Sequence, residues 1–418
     1  MTLKQLFICG ALATGLLFFM SCGRDAPHFE CTDSIGCVHL TPESPLKLGI
    51  LQALSGKVAP LGQEQLRGFG LAIDKRGGKL LGHTITLLIE DTGCTAEGGA
   101  NAALKLIADP ETVAILGTTC SGAAATASKA MSDAGLTMVS GNNSAPFLTA
   151  IAGQRAPNWQ SGYFRTAANE EASGKAAALY AWQKLSIRRA ATINDGDIYT
   201  RGLAAGFEQT FRKLGGQIVL KASVDKGDLR MQPVLQAVLD AGAELLFFPL
   251  FQPEGNHILL SAKKIPEFSE IILMSDGALI ESSFLSAVGE AAKGMYFVGP
   301  VSPSGAAIDA LSAAYREKHN TLPATSYYLS AYDAATLLFE AIEKTAVQAP
   351  DGTYHIGRQT LRETLYGIHD FKGLVGRLSC DEFGDCGVPA FNVLRMDTPS
   401  TGLSGLQSNV MFTYRPEK

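Results

Sequence analysis

The chain has 418 residues, 46% of them apolar and 18% charged, with a formal net charge of −5 and a sequence pI near 5.9. This is enough apolar material for more than one core. No block of basic residues occurs, which leaves a nucleic-acid partner without an electrostatic footprint.

Residues 1–21 form a targeting segment. Lys4 supplies a positive start, and 6–20 is an uncharged apolar run too short for a comfortable membrane span. Ser21 then precedes Cys22. A small residue before a cysteine after such a run resembles a bacterial lipoprotein signal, which makes Cys22 the expected lipidation site. Phe19 and Met20 depart from that pattern, and ordinary cleavage nearby is the alternative. Residues 22–45 contain three prolines and little periodicity, so they are expected to be a tether.

The body begins at residue 46. The pattern predicts a strand over 46–52, a helix over 62–75 and a strand over 85–90. It continues with a helix over 98–108, a strand over 113–116, an Ala-rich helix to about 133 and a strand over 136–140. Such alternation implies a parallel sheet covered on both faces. Ser121 sits at the expected start of the Ala-rich helix. It is either a plain N-cap or part of an anion site made by free backbone N–H groups. Residues 163–166 read as a short crossing strand, after which the alternation starts again. Helices are expected over 170–185, 199–214, 229–241 and 254–264. Strands are expected over 189–194, 217–224, 245–250 and 271–274. Helices over 304–319 and 326–345, a hairpin over 373–386 and a strand over 391–396 follow. Residues 399–408 look loose.

Eight cysteines occur. Cys9 leaves with the targeting segment and Cys22 is the lipid candidate. The remainder fall into sequence-local pairs, Cys31 with Cys37, Cys94 with Cys120 and Cys380 with Cys386, although sequence alone does not fix connectivity. Cys94 and Cys120 both follow apolar strands, at one sheet edge. No C-x-x-C spacing is present and the histidines are scattered, which argues against zinc.

The pattern Gly117-x-x-Cys120-Ser121, followed by Ser140-Gly141-Asn142-Asn143-Ser144-x-Pro146-x-Leu148-Thr149, resembles the periplasmic branched-chain amino acid binding proteins. These are the type I solute-binding proteins of ATP-driven importers. The likeness runs from about residue 46 to near the end. It implies an α/β fold of two Rossmann-like lobes with parallel central sheets. They would be joined by a three-strand hinge near 164–167, 298–300 and 371–373. The lobes would comprise 46–166 with 300–371, and 167–299 with 372–418. The resemblance supports a Cys94–Cys120 bridge.

It also implies a site. Ser121, Asn143 and Ser144 would hold a ligand carboxylate. Asp276, otherwise a turn residue before Gly277, would hold the ammonium. Tyr199 would cover the ligand, in a stretch similar to the family's D-x-x-x-Y-G with Thr200 in place of the glycine. Phe251 and Leu61 would line an apolar side-chain pocket. The expected role is an extracytoplasmic, lipid-anchored, monomeric receptor that hands an amino acid to a membrane permease, with no cofactor, metal or catalysis. The alternatives are a ligand among amides, urea and aromatic carboxylates, a sensory module, or a hydrolase using Ser121, which would need a base brought in by the fold.

Overall fold

The structure is a computed structural model that describes residues 29–323 and 325–416. The targeting segment and Cys22 lie outside the described residues. Two sheets organise the chain. The first has six strands in the order 79–80, 83–91, 46–52, 112–117, 138–140, 163–165. All neighbours are parallel except the hairpin at 79–80 and 83–91. Leu46–Gln52 and Thr112–Gly117 are buried almost throughout, as strands covered on both faces must be.

Three helices follow from the local sequence: α1 (Ala59–Lys75), α2 (Ala96–Ile107) and α3 (Ser121–Asp133). Pro60 stands in the first turn of α1, where its missing N–H has no helical partner to lose. Thr95 caps α2 by accepting from the Gly98 amide at 2.9 Å. A Cβ on Gly99 would stand 2.3 Å from the Ala123 carbonyl oxygen, so α2 and α3 pack in a way that demands small residues.

The second sheet has seven strands in the order 217–223, 189–194, 245–247, 272–276, 296–300, 391–395, 410–414. Its helices are α4 (Glu171–Gln183), α5 (Ile198–Lys213), α6 (Gln232–Asp240), α7 (Glu254–Ala262) and α8 (Ser282–Val288). The chain then returns to the first lobe with α9 (Ala306–His319), α10 (Tyr327–Thr345) and α11 (Arg358–Tyr366). The apolar face of α10, including Leu337, Leu338 and Ile342, shares a core with Leu46, Leu48 and Ile50. The last helix is α12 (Gly402–Ser408).

Four points refine or correct these expectations. The tether is shorter than 22–45. Cys37–Leu40 is a strand antiparallel to Tyr354–Gly357, with Val38 and Leu40 in the first core. Two alternating apolar residues are too short a period to detect. Second, the central strands of the larger sheet are parallel as expected, and Phe391–Arg395 and Val410–Tyr414 extend its edge antiparallel. Third, the last crossing lies later than 371–373. Leu378, Cys380 and Cys386 still belong to the first core, and the chain passes over near 387–390. There a Cβ on Gly387 would stand 2.5 Å from the Thr166 carbonyl oxygen, so this crossing runs hard against the first. Fourth, 399–408 is ordered, as a 3-10 turn and α12.

Three disulfides, Cys31–Cys37, Cys94–Cys120 and Cys380–Cys386, join the sequence-local pairs. Among the described residues no helix is long and apolar enough to cross a membrane.

Candidate functional site

Strand order fixes where a ligand can sit. In the first lobe Leu46–Gln52 lies between 83–91 and 112–117. In the second, Arg189–Asn194 lies between 217–223 and 245–247. At such reversals the loops leaving the strands part in opposite directions and open a crevice at the carboxyl edge. The two crevices face each other. A Cβ on Gly122, in the first turn of α3, would stand 2.6 Å from Asp197 Oδ2, which precedes α5 of the other lobe. The Arg201 guanidinium lies 5.9 Å from the Phe147 ring centre, again across the gap. The lobes are closed on each other.

On the first-lobe side, Cys120 occupies the cap position of α3 and provides no side-chain cap, so Ser121 is the first helical residue rather than the cap. Its hydroxyl accepts from the Ala145 amide at 3.3 Å, tying the helix start to the next loop. Asn142 donates to the Thr119 carbonyl at 2.8 Å. Asn143 does something different from what was expected. Its side-chain carbonyl accepts from the Thr118 amide at 3.0 Å and from the Tyr163 hydroxyl at 3.3 Å. It is fully buried in the loop scaffold, and Asn142 takes the place in the cleft lining.

On the second-lobe side, Asp197 caps α5 by accepting from the Tyr199 amide at 2.9 Å. This aims the Tyr199 ring into the cleft, 5.2 Å from the Phe251 ring. The Tyr199 hydroxyl donates to Asp276. Asp276 also accepts from the Ala278 amide at 3.3 Å and from Ser275 Oγ at 3.2 Å. Asp276 is thus a turn residue and an acceptor for Tyr199 at once, and it reaches the cleft through that hydroxyl, with Ala278 forming the wall. Of the seven expected residues, Leu61, Ser121, Ser144, Tyr199 and Phe251 line one small cavity, with Thr119, Asn142 and Tyr327 beside them. Its volume is about 10 Å³, room for roughly one water. Ligand entry therefore requires the lobes to part.

A model of the family described as periplasmic binding protein matches residues 45–388. The chain belongs to that family. It is 24% identical over 359 residues to the Leu/Ile/Val-binding protein homolog 3 of Brucella melitensis, covering 84% of this chain and 91% of that one. It is 26% identical over 361 residues to the Leu/Ile/Val-binding protein BraC3 of Rhizobium johnstonii, covering 84% and 92%. Among solved structures, the branched-chain amino acid transporter substrate binding protein LivJ of Streptococcus pneumoniae, in complex with isoleucine, superposes with a TM-score of 0.73. That match has 20% identity and covers 89% of this chain and all of that one. A solute binding protein of R. palustris in complex with benzoate superposes with a TM-score of 0.72 and 20% identity, covering 89% and 96%. These likenesses establish the type I fold.

The electrostatics of this periplasmic binding protein contain a residue that sequence reasoning missed. Glu170, just before α4, is 2% exposed; the Tyr199 and Ser144 hydroxyls lie beside its carboxyl, while its Oε2 meets no hydrogen-bond donor among the described residues. Burial, and then the charge of Asp276, push its carboxyl up to about 8. Burial likewise raises Asp276 to about 6, held back by the Tyr199 hydroxyl. In sequence, Glu170-Glu171 look only like acids favouring a helix start. Nothing local shows that Glu170 turns inward. Tyr327, also missed, looks like one more residue of a helix.

The loop carrying Ser144 hangs from one buried cation. Arg165 Nη1 donates to the carbonyls of Asn143 at 3.2 Å and Ala145 at 2.8 Å, Nη2 donates to Thr149, and Nε pairs with Asp385. Asp385 accepts also from Thr149 and Asn169, each at 3.0 Å. It lies inside the loop closed by Cys380–Cys386. Among the described residues no group of three or more His, Cys, Asp or Glu is placed to hold a metal ion.

Proposed function

We propose that this protein is the extracytoplasmic receptor of an ABC importer and captures an amino acid of the branched-chain class between its lobes. One observation carries the reading. An uncapped helix start with Ser121 and Ser144 lines the same small cavity as Tyr199, whose hydroxyl meets the buried carboxylate of Asp276. The first half suits a carboxylate and the second an ammonium. Leu61, Phe251 and Tyr327 leave an apolar remainder for an aliphatic side chain. A zwitterion bound to both lobes favours the closed form over the open one, and the closed form would dock on the permease.

Titration calorimetry with leucine and its deaminated analogue, 4-methylpentanoate, tests this. Ser121→Ala removes one charge-assisted bond, so leucine affinity should fall roughly tenfold to a hundredfold. Asp276→Asn should weaken leucine far more than 4-methylpentanoate. Equal effects on both ligands would point to a plain carboxylate, as in the benzoate-bound relative. Unchanged leucine binding by Ser121→Ala would remove the anion site.

The same reading makes Cys22 the lipid anchor and the protein a monomer. Labelled fatty acid should enter the wild type and not Cys22→Ser; equal labelling of the two would refute the anchor.

A further inference from the structure

A second cavity, of about 560 Å³, lies against the hinge. That is within the usual size of small-molecule sites, whereas the cleft cavity is nearly filled. Its walls come from all three crossings: Thr166 to Ala168, Pro300 with Val301, and Val388 with Ala390. Most of the surface is apolar. Charge stands at two places. Glu170 is buried in the wall, with Oε2 unpartnered. Arg377 and Arg415 are exposed, and Arg377 pairs with Asp370. A buried carboxyl oxygen left without a partner is costly unless a ligand supplies a donor.

We propose that the hinge cavity is a second ligand site, which takes a small zwitterion whose ammonium and carboxylate are separated by an apolar chain, an ω-amino acid in chemical class. The ammonium meets Glu170, the chain lies along Val301, Val388 and Ala390, and the carboxylate turns towards Arg377 and Arg415. An α-amino acid with an uncharged side chain carries both charged groups on one carbon, so it cannot place them at opposite ends of an apolar chain. Since every crossing contributes to the wall, the cavity changes shape when the lobes part. A bound molecule therefore stabilises the closed angle, and the two sites are coupled through Ser144 and Tyr327, which line both.

The test is calorimetry with 6-aminohexanoate, with and without leucine. The wild type should bind one equivalent of 6-aminohexanoate even when leucine is saturating. Glu170→Gln should weaken that binding roughly tenfold to a hundredfold. Val388→Trp fills the cavity from a position 44% exposed, so the fold should tolerate it; it should abolish 6-aminohexanoate binding and leave leucine binding in place. Ser121→Ala should leave 6-aminohexanoate unaffected. No binding by the wild type, equal binding by Val388→Trp, or displacement by leucine together with loss in Ser121→Ala would overturn the proposal. Failure of leucine to bind while 6-aminohexanoate behaves as expected would overturn the amino-acid receptor reading and leave the hinge site standing.

Discussion

Replacing Arg165 by alanine is expected to destabilise the protein by about 3–5 kcal/mol, the usual cost of removing one partner of a buried ion pair. The side chain is fully buried. Burial works against its charge, and Asp385 more than offsets this, so the guanidinium stays protonated. Alanine would leave Asp385, 13% exposed at its side chain, without its cation. It would also strip the donors from the Asn143 and Ala145 carbonyls and from Thr149. The effect should reach function, because those atoms shape the loop that carries Ser144, and leucine affinity should fall as well. Arg165→Lys keeps the charge but lacks the planar fork that serves four acceptors at once, so it should recover only part of the loss. The double variant Arg165→Met/Asp385→Leu should be more stable than the two single losses added together, since it leaves no buried charge unpaired. Urea unfolding measures all of these. A loss below about 1 kcal/mol for Arg165→Ala would mean that desolvation cancels the pair.

Glu170→Gln should act in the opposite direction and stabilise the ligand-free protein by up to about 3 kcal/mol at pH 7. The sign follows from the raised carboxyl. Its ordinary value is 4.5, and burial holds it near 8 in the fold. Between those values the unfolded chain has released the proton and the folded chain retains it. Wild-type stability therefore falls as pH rises from about 4.5 to 8, and is flat with respect to this group outside that window. Asp276 adds a similar loss between 3.8 and about 6. Asp333 behaves like Asp276, and His319 and His355, held below their ordinary 6.5 by burial, act in the opposite sense up to that pH; the interval from pH 6.5 to 8 is therefore the one to follow for Glu170. Urea midpoints measured across it should decline in the wild type and stay level in Glu170→Gln. Parallel curves would show that Glu170 is already ionised in the fold, with a partner that satisfies it. A stabilised variant that binds amines less well would mark Glu170 as a residue kept at a cost to the fold, as binding groups commonly are.

The two predictions concern residues of very different legibility. Arg165 stands in an evident crossing strand, but no pattern announces that Asp385, 220 positions later, will meet it. Glu170 looks like a helix-start acid, and only the packing of the Ser144 loop and Tyr199 around it turns the carboxylate away from water.

The sequence by itself determined the doubled strand-helix alternation, the second lobe that repeats it and the loops at which the strands end. These depend on periods of two and 3.6 residues and on local glycine and proline chemistry, which act over a few positions. Placement of Ser121, Ser144, Tyr199, Phe251 and Leu61 around one cleft came from the resemblance to the binding-protein family, and it accords with loops at the carboxyl ends of parallel strands converging at the reversal of strand order. Which of two adjacent asparagines faces the cleft was decided only in three dimensions. Asn143 and Asn142 differ in chemistry by nothing, and the Thr118 amide and Tyr163 hydroxyl capture Asn143 from the scaffold side. The same holds for the strand Cys37–Leu40, which has no partner nearer than Tyr354–Gly357. It holds also for the last crossing, where Gly387 can lie against Thr166 only because it has no side chain. Those contacts join segments well separated in the chain, and their energy exists only once tertiary folding has brought the segments together.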